Sequence, residues 1–141
     1  MSDLTILLVD DEKDITDKYA KHLKRKYSNV YSSYDGLDAY KIYKDISPDI
    51  IILDLHLPKL SGIDLLRRIR KTDNKTEVII CSAFSEDCFL QKAKELGVVK
   101  YFVKPFSREE LNSTLIQVVE DIKERGKKME NIEKTQKGGI L

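Results

Sequence analysis

The sequence lacks a dominant charge: 25 Lys and Arg residues stand against 24 Asp and Glu, a formal net charge of +1. With no excess of either sign there is no global pull toward nucleic acid or an anionic membrane. Cysteine is scarce, and the two present, Cys81 and Cys88, follow neither a CxxC nor a disulfide-framework spacing. A disulfide scaffold is thereby excluded, and both read as reduced structural thiols. No apolar run approaches the roughly 18 residues that a membrane helix requires. The opening "MSDLTILLVDDE" has no basic region ahead of its apolar stretch and no small-residue cleavage site, so no secretory signal is read and the expected location is the cytoplasm. Glycine-rich loops of the form GxxxxGK[ST] or GxGxxG are missing too, so no bound nucleotide is indicated.

What is present is a chain of 141 residues, 41% hydrophobic and 35% charged, enough for one globular domain with a real core. Strand-like and helix-like stretches alternate five times. The apolar runs are "LTILLVD" (4–10), "NVYSS" (29–33), "DIIILDL" (49–55), "EVIICSA" (77–83) and "VVKYFV" (98–103). Between them lie stretches with helical spacing. The first carries Ile15, Tyr19, Leu23 and Tyr27 at steps of four; the second Leu37, Tyr40 and Tyr43; the third Ile63, Leu66 and Ile69. In the fourth, Ser85 is the expected N-cap and Gly97 the stop. The last opens on Ser107 and Glu110 in capping-box spacing and reaches Gly126 through Lys123 and Arg125.

Near-continuous aliphatic strands alternating with helices predict a parallel sheet with helices on both faces. Units of roughly 20 to 25 residues are too few in total for a closed barrel of about 250. The expectation is a flavodoxin-like, doubly wound five-stranded sheet in the order 2-1-3-4-5. Right-handed crossovers then put the first and fifth helices on one face and the middle three on the other.

In such a sheet ligands bind beyond the carboxyl ends of the strands, at the switch point between strands 1 and 3. There the sequence places Asp10 and Asp11, then Asp54, then Ser82, then Lys104-Pro105. Carboxylates converging in one cleft repel, so at least one pKa is expected to rise unless a cation intervenes. Oxygen donors alone suit Mg2+. A cation beside a lysine and a hydroxyl suits phosphoryl transfer, and a carboxylate can take the phosphoryl group as an acyl phosphate.

Four motifs, "LLVDDE", "IIILDLHLPKLSGIDLL", "VIICSA" and "YFVKPF", each at a strand end, together resemble the response-regulator receiver domain of two-component signalling systems, over about residues 3 to 125. The resemblance implies Asp54 as phosphoacceptor, Asp11 as a direct Mg2+ ligand and Asp10 acting mainly through its water. It implies the His56 backbone carbonyl as a further ligand, Lys104 paired with the phosphoryl group, Ser82 hydrogen-bonded to it, and Tyr101 as an aromatic switch. It also implies a cis Lys104-Pro105 bond. The donor would be a sensor histidine kinase or phosphotransfer protein. The output would pass through the fourth helix, fifth strand and fifth helix, with Leu90 and Tyr101 on the partner surface. The target would be an effector protein or an output domain outside this sequence, and homodimerisation on phosphorylation belongs to the same pattern. Such a protein is no enzyme beyond Mg-dependent catalysis of its own phosphorylation and dephosphorylation. Neither a membrane nor direct nucleic-acid contact is expected.

Two rival readings exist. A Mg-dependent phosphohydrolase with an aspartyl nucleophile wants a second aspartate two residues on, where this chain has His56. A pseudo-receiver that signals without phosphorylation fits poorly with the complete Asp10, Asp11, Asp54, Ser82 and Lys104 set. The His56 ring and Phe84 flank the cleft, where they would tune water access. The basic stretches "KHLKRK" (21–26) and "RRIRK" (67–71) read as solvated helix faces. Leu90 lies about 100 degrees off the Phe89/Ala93/Leu96 stripe, so partial exposure is expected. The receiver domain is read as 1–125, followed by 126–141 as a polar tail or a helical extension that carries the apolar register to Met129 and Ile132. The chain is a stand-alone receiver or part of a longer regulator.

Overall fold

A computed structural model describes residues 2–138; the last three residues of the 126–141 tail lie outside them. The elements alternate as β1 (Ser2–Val9), α1 (Lys13–Leu23), β2 (Tyr27–Ser33), α2 (Gly36–Ile46), β3 (Ile50–Leu53), α3 (Gly62–Arg70), β4 (Glu77–Ser82), α4 (Asp87–Glu95), β5 (Lys100–Val103) and α5 (Arg108–Gly138). All neighbouring strands pair in parallel, in the order β2-β1-β3-β4-β5. This is the flavodoxin-like topology that the strand and helix pattern predicts.

Strand alternation divides the core. Leu7, Val9, Ile51, Leu53, Val78 and Ile80 share one cluster with Ala39 of α2, Leu66 and Ile69 of α3 and Ala93 of α4. Their sequence neighbours Ile6, Leu8, Ile50, Ile52 and Ile79 are equally buried and point to the opposite face. The buried stripe of α1 (Thr16, Tyr19, Ala20 and Leu23) takes no part in that cluster. Cys81 is buried and Cys88 exposed, both unpaired; burial pushes the Cys81 thiol up to about 12, so it carries no thiolate at neutral pH.

By contacts the chain divides into a unit ending at Phe106 and a second beginning at Ser107. The second unit is α5, whose Ser107 hydroxyl accepts the Glu109 and Glu110 N–H groups at 3.1 and 3.4 Å. Its early turns carry the buried Leu111, Leu115, Val118 and Val119, whereas Met129 and Ile132 are exposed.

Several local expectations are corrected. The step-of-four series Ile15 to Tyr27 is not one helical stripe, because each such step overshoots a full turn by about 40 degrees. Ile15 is 54% exposed, and Tyr27 belongs to β2. Leu37 is exposed, and Ala39 is the fully buried residue of α2. The N-cap of α4 is Glu86 without a side-chain cap bond, not Ser85. Gly97 and Gly126 have similar sequence surroundings but behave differently. Gly97, at φ +74, ends α4 before the β-branched Val98-Val99; Gly126, followed by the helix formers of "KKMENIEK", stays inside α5.

The basic stretch of α3 is more than a solvated face. Arg70 donates to four carbonyls: Leu96 (2.7 Å), Thr76 (2.8 Å), Asp73 (3.0 Å) and Gly97 (3.1 Å). It therefore ties the end of α3 to the end of α4, satisfying helix-terminal carbonyls with a cation at the negative pole. Asp73, in the same loop, accepts from Tyr43 Oη (2.6 Å), Thr76 Oγ1 (2.5 Å), Lys75 N (2.8 Å) and Thr76 N (3.0 Å). Partial burial opposes its ionisation, but these donors outweigh it and hold the carboxyl far below the usual range. A depressed native pKa contributes stability above the unfolded value near 4, and that contribution is lost as pH falls below it. Asp73→Asn should therefore cost about 1–2 kcal/mol at pH 7 and markedly less at pH 2.5, measured by urea denaturation at both pH values. An equal cost at both would show that the carboxylate charge contributes nothing.

Candidate functional site

The register explains how the site assembles. One row crosses the sheet through Ser33, Val9, Leu53, Ile80 and Tyr101. Asp10 and Asp54 are the next residues on adjacent strands, so they leave the sheet side by side. The ladder continues into them: Asp54 N–H donates to Val9 O (2.8 Å) and Asp10 N–H to Ser33 O (3.1 Å). On the other side of β3, β4 runs on to Ser82 opposite Val103, and Lys104 N–H donates to Ser82 O at 2.7 Å. The Lys104-Pro105 peptide bond is cis.

Asp54 is 5% exposed. Its Oδ1 accepts the His56 N–H at 3.0 Å and its Oδ2 the Lys104 ammonium at 3.0 Å. Burial raises its pKa despite those two donors, and the Asp10 charge adds to the rise. Burial alone would depress the Lys104 ammonium, but its bonds to Asp54 and Asp10 outweigh this and keep it firmly protonated. Asp10 serves twice: Oδ2 accepts from Lys104 at 3.0 Å, and Oδ1 accepts the Glu12 N–H at the start of α1, also at 3.0 Å.

Among the described residues, the carboxylates that gather are those of Asp10, Glu12 and Asp54, each offering an oxygen within 4.8 Å of the others. Asp11 is exposed and outside this group. The acidic run Asp10-Asp11-Glu12 carries the signal. The chain bends at Asp11 as it leaves β1, and Glu12, not Asp11, comes round beside Asp10 and Asp54. Glu12 is the residue that sequence reasoning missed, since helix-first reading assigns it to α1. The donor set, three carboxylates with no sulfur or nitrogen, fits a hard divalent cation.

Ser82 is fully buried, and its Oγ accepts the Phe84 N–H at 3.2 Å. The Tyr101 hydroxyl donates to Phe84 O at 2.6 Å. Phe84 is thus held on one side by Ser82 and on the other by Tyr101. Its ring stacks on Phe89 of α4 at 4.6 Å and meets the edge-on His56 ring at 5.6 Å. Tyr101 lies half-buried against the core cluster, and Leu90 is half-buried on α4. The imidazole of His56 is exposed at the mouth and joins no group of metal-ligating side chains among the described residues.

A parallel sheet of this order, with a buried carboxylate, a lysine and further carboxylates at its switch point, defines an α/β protein built around one buried aspartate. Residues 6–116 match the family model of the response regulator receiver domain. The chain is 32% identical over 110 residues to sporulation initiation phosphotransferase F of Bacillus subtilis (strain 168), covering 78% of this chain and 89% of that protein. It also resembles the N-terminal domain of an uncharacterized protein from Wolinella succinogenes: 35% identity, TM-score 0.81, covering 87% of this chain and 98% of the other. A third likeness is to a CheX-CheY-BeF3-Mg2+ complex from Borrelia burgdorferi, at 25% identity and TM-score 0.74, covering 82% of this chain and 88% of the other. The chain belongs to the response regulator receiver domain family of two-component signalling. No helix of the described residues is long and apolar enough to cross a membrane.

Proposed function

We propose that the chain is a cytoplasmic phospho-switch that accepts a phosphoryl group on Asp54 from a phosphohistidine of a sensor histidine kinase or phosphotransfer protein. One observation carries this reading: a carboxylate at a strand end, with Oδ1 fixed by the His56 N–H and Oδ2 by Lys104. In the transfer, an Asp54 oxygen attacks phosphorus, the P–N bond to the donor histidine breaks, and the imidazole leaves with that bond's electron pair. Lys104 holds the carboxylate in place and then neutralises a phosphoryl oxygen. By the family pattern, Asp54, Asp11 and the His56 backbone carbonyl would hold Mg2+, with Asp10 acting mainly through its water; Asp10 and Asp54 are the two of these carboxylates that the fold already brings together. When bound the cation would neutralise charge on the transferring oxygens. The CheX-CheY complex from Borrelia burgdorferi contains BeF3 and Mg2+, which supports a site of this kind that takes a phosphoryl-like group and Mg2+.

The switch runs through Phe84. A Ser82 hydroxyl that turns toward the phosphoryl oxygens gives up the Phe84 N–H, and the Tyr101 hydroxyl on the Phe84 carbonyl responds, altering the surface at Leu90. An effector or output domain would read that surface, and phosphorylation would also govern any self-association.

Incubation with acetyl phosphate and Mg2+, followed by borohydride reduction and peptide mass mapping, should convert one residue, Asp54, to homoserine. Modification at another carboxylate, or none, would overturn the assignment.

A further inference from the structure

We infer that Glu12 is a positioning residue: it holds the Lys104 ammonium in the unphosphorylated chain and is the partner that Lys104 releases once Asp54 carries a phosphoryl group. This rests on the receiver reading above. An ammonium has three N–H donors and no more. Here they meet three carboxylates: Asp10 Oδ2 at 3.0 Å, Asp54 Oδ2 at 3.0 Å and Glu12 Oε1 at 3.3 Å. The lysine is saturated. A phosphoryl group on Asp54 adds strongly charged acceptor oxygens, and Lys104 reaches one only by surrendering a bond it already makes.

The geometry decides which bond goes. The Asp10 and Asp54 side chains are 20% and 6% exposed and rooted at strand ends. Deserting Asp10 leaves a partly buried carboxylate short of a donor, which is costly; phosphorylated Asp54 keeps an acyl oxygen that still accepts from Lys104. The Glu12 side chain is 52% exposed, its contact is the longest of the three, and water replaces the lost donor. The Glu12 carboxylate also adds negative charge beside the arriving phosphoryl group. The acidic residue next to the Asp10-Asp11 pair is therefore a brake on phosphorylation, acting through Lys104 and touching no substrate.

Two variants separate the tether from simple charge. Glu12→Gln removes the charge; Glu12→Asp keeps the charge but falls about 1.5 Å short of Lys104. Both should take up phosphoryl from acetyl phosphate about two- to five-fold faster than wild type at saturating Mg2+, the size expected for an exposed ion pair. In metal-free protein, the 1H–15N signal of the Lys104 ammonium should be sharp in wild type. Faster exchange with water should broaden it in both variants. Acceleration in Glu12→Gln alone, with an unchanged ammonium signal, would reject the tether in favour of charge repulsion. Slower phosphorylation in both would overturn the proposal by showing that Glu12 is needed in the loaded site. If wild type itself takes up no phosphoryl group, the receiver reading fails, while the ammonium comparison still decides whether Glu12 holds Lys104.

Discussion

Asp54→Asn should abolish phosphoryl uptake and at the same time make the protein more stable at neutral pH. The loss of uptake is expected to be at least about 100-fold, because an amide is a far weaker nucleophile than a carboxylate. The gain in stability follows from the direction of the Asp54 pKa, which burial raises in the folded chain against the opposing His56 N–H and Lys104. A carboxyl whose pKa rises on folding favours the native state at low pH. That advantage is lost as pH climbs through the native value. At pH 7 the ionised Asp54 is therefore a net cost. Replacing it does not orphan Lys104, which keeps Asp10 and Glu12 within 3.3 Å. A gain of about 1 kcal/mol, or roughly 3 °C in melting temperature, is expected at pH 7 and should shrink toward pH 4. Calorimetric melting at both pH values checks this; a variant less stable than wild type at pH 7 would show that the Lys104 pair outweighs desolvation.

Gly62→Ala should damage fold and site together. A Cβ at Gly62 would lie 2.4 Å from the Asp54 carbonyl oxygen and 2.6 Å from the Leu55 Cα. These are backbone atoms, so no rotamer change relieves the clash. The Gly62 N–H also donates to Leu55 O at 2.9 Å, which keeps α3 pressed against the strand end. Overpacking against backbone is expected to cost about 2–4 kcal/mol. A displaced Asp54 should lower the phosphorylation rate by about 10- to 100-fold. Gly126→Ala provides the contrast: nothing lies within 4 Å of its Cβ position. It should be neutral in phosphorylation and stabilising by about 0.5–1 kcal/mol, since Gly126 lies within α5. Denaturant melts and acetyl phosphate labelling of both variants decide the matter. Full-rate labelling in Gly62→Ala would mean that the 54–62 segment gives way without moving Asp54.

The fold was legible because its signals are periodic and local. Runs such as Ile50 to Leu53 are short and apolar at every position, which suits a strand covered on both faces, and strand order followed from the βα alternation. Misreadings arose where two local signals compete. Tyr27 continues a step of four yet begins β2, because apolarity marks a buried position in either element. Gly97 and Gly126 are equal as stop signals, and the residues that follow decide between them.

Within the site, the residue types and their placement at strand ends were written in the sequence: Asp10, Asp54, Ser82 and Lys104 each end an apolar run. Which side chains converge was not. Asp10, Asp11 and Glu12 are three consecutive acids, alike in composition and charge. Only the exit of the backbone from β1 turns the first and third toward Asp54 and leaves the second in solvent. The Arg70 clamp on Leu96 and Gly97, and the hold of Tyr101 on Phe84, likewise join residues distant in sequence through backbone carbonyl groups. Those groups are identical at nearly every position of a chain and so carry no trace in its sequence. Patterning by apolarity determined the sheet and its order, because burial is a property each residue type carries with it. Partnership among polar groups was decided by tertiary structure, because it depends on direction and distance to within an ångström.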